Sequence, residues 1–243
     1  MKKGKVYLIG AGPAGKDLIT VKGLALLRQA DVIIYDYLTD KDLLSEVKQG
    51  AQLFNCRDLG KIHGADARRS QLKINSLIVS KAKEGKIVAR LKNGDPLIFG
   101  RITEELEALG HNGIEFEIVP GVSAAQFGAA FFNIPLTDRI SGSSVVFVTG
   151  HEAEEKISPV IDWKNISKHN TIVLYMAVKN ISKIALKLIK AGKSPNTSIT
   201  AISNAGRSNQ KVAITRLKDV SSAVKKRGII APAIFIIKDS GHD

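Results

Sequence analysis

Short apolar runs, each emptying into a turn and followed by a segment of helical spacing, recur through the first half of this 243-residue chain. No other feature limits its fold as much. Lys5–Gly10, Val32–Tyr35, Gln52–Asn55, Lys86–Leu91 and Glu115–Val119 read as strands. Between them, Leu18, Val21, Leu24, Ala25 and Leu27 recur at helical spacing from Asp17 to Gln29, with Asp17 suited to the first turn. A short helix is expected over Leu43–Val47, a long one carrying Ile74, Leu77, Ile78 and Ala82 on one face, and a third ending near Leu109. Strand alternating with helix at these lengths is the pattern of a parallel sheet with right-handed crossovers.

The second half reads differently, and a domain boundary is placed at residues 120/121, giving segments 1–120 and 121–243. Pro120-Gly121 turns the chain into a small-residue helix with Ser123 as its cap. Ser144–Thr149, Thr171–Tyr175, Ser198–Ser203, Lys211–Thr215 and Ala233–Lys238 are strand candidates, with one clear helix at Ile181–Ala191. Only a short polar loop, Ser203–Gln210, separates two of these strands, which predicts an antiparallel hairpin and hence a mixed sheet with flanking helices. The fold class is α/β.

Two motifs bear on chemistry. Arg90-Leu-Lys-Asn-Gly-Asp-Pro-Leu-Ile-Phe-Gly-Arg101 follows a buried strand. It must turn sharply, because Gly94 permits positive φ and Pro96 cannot continue a ladder. In α/β proteins, ligands sit at the carboxyl ends of strands, so chemistry is expected here. The second, Gly10-Ala-Gly-Pro-Ala-Gly15, satisfies G-x-G-x-x-G after a strand, and Asp36 follows at the distance where a dinucleotide fold holds ribose. Pro13 removes a backbone donor where pyrophosphate would approach, and Asp17 would compete with phosphate for the helix start. An NAD-dependent dehydrogenase is therefore the runner-up.

Composition narrows the partners. Lys and Arg number 36 against 23 Asp and Glu, a net charge of +13, which favours anionic partners. The basic residues are scattered and aromatics make up only 5%, which argues against nucleic acid. The single cysteine, Cys56, cannot form an internal disulfide, and no metal-ligand spacing is present. No run approaches a membrane span, and the apolar run after the basic start breaks at Gly10, too early for a signal peptide. A cytoplasmic protein without membrane partners is expected.

The chain resembles the tetrapyrrole methylases of the uroporphyrinogen-III C-methyltransferase type over nearly its whole length. The residues that carry the resemblance are Val6–Pro13, Ala30–Leu38, Leu59-Gly-Lys61, Arg90–Arg101, Val119–Ala125, Ile134–Thr137, Phe147–His151 and Leu174-Tyr-Met176. Each is weak alone; eight in this order and spacing are specific. The resemblance implies a two-domain α/β fold that is usually a homodimer, with S-adenosylmethionine in the cleft between domains and no metal. Its cofactor-binding positions fall on Pro13, Asn93, Gly94, Asp95, Ile98, Ser123, Ala124, Met176 and Ala205.

The implied reaction adds two methyl groups to carbons 2 and 7 of uroporphyrinogen III. It gives precorrin-2, on the way to sirohaem or cobalamin, and S-adenosylhomocysteine. Methylation of a later precorrin is the alternative within the family. Asp36 and Lys61 fall on the positions the family uses for proton acceptor and donor. Arg90 is the first candidate to pair with a carboxylate of this polyanionic substrate; a structural ion pair at the end of a buried strand is the other reading. The chain departs from the family pattern at Asn93, Ile102, Thr103 and Ala205, where glycine is common, and most of all along residues 62–71.

Overall fold

The computed structural model describes residues 4–60, 67–139, 142–151 and 161–239. Lys61, assigned above as a proton donor, and residues 62–66 of the divergent stretch 62–71 lie outside the described residues. The chain divides into two compact units, Met1–Ser123 and Ala124–Asp243.

In chain order the first unit holds β1 (Lys5–Gly10), α1 (Val21–Gln29), β2 (Val32–Tyr35), α2 (Lys41–Leu44), β3 (Gln52–Asn55), α3 (Ala67–Lys83), β4 (Val88–Lys92), α4 (Ile102–His111) and β5 (Glu115–Val119). The five strands form one sheet in the order β3-β2-β4-β1-β5, every pairing parallel, as the alternation predicted. Their carboxyl ends therefore share one edge.

Side chains of alternate parity build two cores. Val6, Leu8, Val32, Ile34 and Val88 pack against Ile74 and Ile78 of α3 and Ile102 and Leu109 of α4. Ile9, Ile33, Ala89 and Leu91 pack on the other face with Leu27 of α1 and Leu43 of α2. Burial on both faces suits the apolar runs read from sequence.

The first helix differs from expectation. It begins at Val21, after a separate 3-10 turn at Lys16–Leu18. Thr20 is extended and its hydroxyl accepts the Gly23 N–H at 3.0 Å, an N-cap that sets the start.

The second unit holds α5 (Ala124–Phe131), β6 (Val145–Thr149), α6 (Trp163–Ile166), β7 (Thr171–Tyr175), α7 (Ile181–Lys190), β8 (Ser198–Ser203), β9 (Lys211–Arg216), α8 (Val220–Arg227) and β10 (Ala233–Lys238). Its sheet runs β6-β7-β10-β8-β9. β6 and β7 are parallel; β10 is antiparallel to both β7 and β8, and β8 and β9 form the predicted hairpin. The sheet is mixed, and the carboxyl ends of β6, β7 and β8 lie on one edge. α8 went unread because it buries only Val220 and Val224, too thin a stripe to register as a helix.

Candidate active site

Three glycines make the carboxyl edge of the first sheet possible. A Cβ on Gly10 would lie 2.6 Å from Gly121 Cα and 2.8 Å from the Gly94 carbonyl oxygen; one on Gly121 would lie 2.7 Å from Gly10 Cα. Backbone meets backbone here, so the turns after β1, β4 and β5 interlock. Gly12 and Gly94, both at positive φ, exchange two hydrogen bonds (Gly12 N to Gly94 O 3.2 Å, Gly94 N to Gly12 O 2.8 Å). Asp95 completes the junction, with Oδ2 accepting the Gly121 N–H at 3.0 Å and Oδ1 the Leu97 N–H at 2.8 Å.

The same contacts dispose of a dinucleotide site. The N–H groups that would cradle pyrophosphate are taken: Ala11 donates to Lys92 O (2.8 Å), Gly12 to Gly94 O, and Gly15 to Asp40 Oδ2 (3.1 Å). No α-helix starts behind Gly15 to supply its dipole. Gly10 and Gly12 of the pattern serve close packing instead, and Gly15 takes a positive φ of 63° with open space around it.

Asp36 stands just past β2 on this edge. Its Oδ1 accepts from Arg90 Nη2 at 2.6 Å and its Oδ2 from the Asn93 N–H at 3.3 Å, which ties it to the β4 turn. The side chain keeps 30% exposure, whereas its partner Arg90 has 3%. Burial works against the charged carboxylate, but the cations of Arg90 and Lys92 and the two hydrogen bonds outweigh it. The carboxyl is held below its ordinary range and is ionised at neutral pH.

Arg90 is thereby corrected. The guanidinium expected to meet a substrate carboxylate donates instead to Asp36, to Glu105 Oε1 (2.9 Å) and to the carbonyls of Leu91 (3.1 Å) and Ile34 (3.4 Å). It is a buried structural cation, and its charge points at Asp36.

Two residues that sequence reading missed join this set. Lys92 is 2% exposed and Glu105 1%, with Lys92 Nζ 2.9 Å from Glu105 Oε2. A signal for each was present. Arg90 and Lys92 occupy alternate positions of a strand otherwise apolar, and Glu105 falls at core spacing between Ile102 and Leu109. Cys56, buried nearby, is not a thiolate nucleophile, since burial pushes its thiol up to about 11.

Of the cofactor positions in this unit, Asn93, Gly94, Asp95 and Ile98 lie on the turn after β4, buried Pro13 follows the Gly12 bridge, and buried Ser123 follows β5. Asn93 Oδ1 is buried and has no hydrogen-bond partner among the described residues. S-adenosylmethionine carries N–H donors, so the turn fits it. Phe99 and Arg101, at φ 53° and 52°, keep left-handed backbone that costs non-glycine residues about 1–3 kcal/mol each.

In the second unit, Met176 follows β7 and Ala205 follows β8, on the shared carboxyl edge. The Ala125 N–H at the start of α5 reaches Tyr175 Oη at 3.2 Å, and Ala124, Tyr175 and Ala205 pack on one core cluster. Met176 (φ 54°) and Asn204 (φ 51°) are again left-handed, and Met176 is 46% exposed. Strained backbone thus recurs beside the residues singled out in both units.

Comparison with known proteins places the chain in a family. The sequence pattern of the family described as tetrapyrrole (corrin/porphyrin) methylases matches residues 5–221. The chain is 42% identical over 240 residues to the S-adenosyl-L-methionine-dependent uroporphyrinogen III methyltransferase of Methanosarcina barkeri, covering 98% of this chain and 92% of that one. It is 43% identical over 235 residues to the uroporphyrinogen-III C-methyltransferase of Priestia megaterium, covering 96% and 97%. Among solved structures, a cobalt precorrin-4 methyltransferase superposes with a TM-score of 0.85 at 31% identity, covering 96% of this chain and 94% of that one. The Thermus thermophilus uroporphyrin-III C-methyltransferase complexed with S-adenosyl homocysteine gives 0.78 at 29% identity, covering 97% and 92%.

Proposed function

The chain belongs to the tetrapyrrole methylase family, and on that premise we propose that it methylates uroporphyrinogen III at carbons 2 and 7, using S-adenosylmethionine and giving precorrin-2. The observation that carries the proposal is an ionised Asp36, locked by Arg90 to a turn whose buried Asn93 Oδ1 has no partner among the described residues. Similarity in sequence over nearly the full length to uroporphyrinogen methylases supports the substrate.

When bound, S-adenosylmethionine supplies a methyl group already activated on a sulfonium. The chain's task is to hold and orient. Asn93 Oδ1 would accept an N–H of the cofactor, and Gly94, Asp95, Ile98, Pro13 and Ser123 would hold it as the residues of the surrounding turns. Ala124, Met176 and Ala205 are the positions assigned in the second unit, with Met176 offering an adaptable apolar surface. Asp36 takes the proton that a methylated pyrrole ring must lose. That ring has gained positive charge, so its proton is acidic enough for a carboxylate of low basicity. Lys61 is assigned as the donor. The excess of basic residues draws in the octacarboxylate substrate without Arg90.

Methylation of a later precorrin is the second reading, favoured by the likeness in fold to the precorrin-4 enzyme. The proposal takes from the family a homodimeric state and a cytoplasmic location. Among the described residues no helix is long and apolar enough to cross a membrane.

Ligand-dependent thermal stability separates the methylase from the dehydrogenase. S-adenosylhomocysteine at a hundredfold excess over its Kd should raise Tm by on the order of 5 °C, since ligand that binds only the folded state stabilises it. NAD should leave Tm unchanged. The reverse pattern would restore the dinucleotide reading.

A further inference from the structure

We infer that Glu105 and Lys92 are positioning residues, which fix the orientation and electrostatic environment of Asp36 through Arg90. The inference rests on the reading of Asp36 as proton acceptor, and deepens it.

The four groups form one chain of contacts: Asp36 Oδ1 to Arg90 Nη2 (2.6 Å), Arg90 Nε to Glu105 Oε1 (2.9 Å), and Glu105 Oε2 to Lys92 Nζ (2.9 Å). Two cations meet two anions, so the set is neutral. Only Asp36 is substantially exposed; the side chains of Arg90, Glu105 and Lys92 are at 3%, 0% and 2%. A buried set of this kind is poor value as a stabiliser, because desolvating each charge costs several kcal/mol, and well-packed apolar side chains often do as well. Its geometry has a direction, however. Glu105 and the Ile34 and Leu91 carbonyls hold the plane of the Arg90 guanidinium, which leaves Nη2 aimed at Asp36.

Glu105 is itself held from α3. Gln71 Nε2 reaches Glu105 Oε1 at 3.3 Å and Asn75 Oδ1 at 2.9 Å, and Asn75 Nδ2 donates to the Glu104 carbonyl at 2.9 Å. Around Asp36, the charged and titratable groups among the described residues include Arg90 and Lys92 on β4, Glu105 on α4, the adjacent Tyr37 with Arg57 acting on it, and Cys56 after β3. Glu105 and Lys92 act on Asp36 with opposite sign. Losing the Glu105 anion leaves excess positive charge that favours the Asp36 carboxylate further. Losing the Lys92 cation removes part of what now favours it.

The test is the titration of the Asp36 carboxyl, followed by NMR on carboxyl-labelled protein and assigned by its loss in Asp36→Asn. In Glu105→Gln it should move to lower pH, in Lys92→Met to higher pH, and in the double variant it should return towards wild type. The acid limb of methyl transfer should move with it, and Glu105→Gln should lose about tenfold in kcat at neutral pH. An Asp36 titration unmoved in the folded variants overturns the inference, since a merely structural role would lower only the yield of folded protein. A titration that moves while the acid limb of the rate stays put upholds the inference and removes Asp36 as the proton acceptor. Should Glu105→Gln not fold, Lys92→Met and the double variant carry the same test.

Discussion

Gly121→Val should unfold the first unit under conditions where the wild type is stable, a loss of more than about 4 kcal/mol in denaturant unfolding. The reason is local. A Cβ at this position meets the Gly94 carbonyl and Gly10 Cα, which are backbone atoms of two other turns. Backbone held by a sheet on one side and the Gly12–Gly94 bridge on the other cannot step aside as a flexible side chain would. Any protein that does fold must pry the β4 turn away from Gly12, so its affinity for S-adenosylhomocysteine should fall with its stability. Gly110→Ala is the control. Nothing lies within 4 Å of its added Cβ, and alanine in helix α4 should stabilise by about 0.5–1 kcal/mol. Equal stability of Gly121→Val and wild type would refute the interlocked turns.

Asp36→Asn should lower the rate of methyl transfer by about 10²–10⁴-fold, the usual contribution of a positioned acid–base group. Affinity for S-adenosylhomocysteine should stay within about twofold of wild type on the same reading. Asparagine keeps the shape and can still accept from Arg90, but it cannot take a proton. The substitution also has a signature in stability. Asp36 titrates in the folded protein below its unfolded value of about 3.9. Its ionised form therefore adds stability that is fully present above the unfolded value and is lost as pH falls through the lower folded one. Wild type should lose stability across that acid window, and the variant should lack this component. A variant with near-normal turnover would move the acid–base role elsewhere.

Much of the fold was legible because both units rely on strong local signals. Apolar runs marked the inner parallel strands β1, β2 and β4, and the polar loop at Ser203–Gln210 marked the β8–β9 hairpin. The start of α1 was misread because Leu18 matched the helical period, while the real boundary lay in the single cap Thr20. Motif matching also misled where long-range backbone pairing decides. Gly10–Gly15 has the letters of a phosphate loop, yet its donors are spent on the β4 turn and Asp40.

Within the candidate site, sequence could name Asp36 and the turn after β4 but not their wiring. Whether Arg90 faces substrate or interior depends on Glu105, which is brought to it by a helix. Glu105 and Lys92 look like surface charges in a list of residues. Only their position at inward-facing points of α4 and β4 reveals them as buried. Charged residues at core positions break the local pattern of a strand, and such breaks gather at functional sites.

Anaerobic incubation with methyl-labelled S-adenosylmethionine and uroporphyrinogen III, followed by mass analysis of the tetrapyrrole, tests the central claim most directly. The account predicts a product carrying two added methyl groups. A tetrapyrrole that stays unmethylated, while the protein binds S-adenosylhomocysteine and methylates a precorrin, would contradict it.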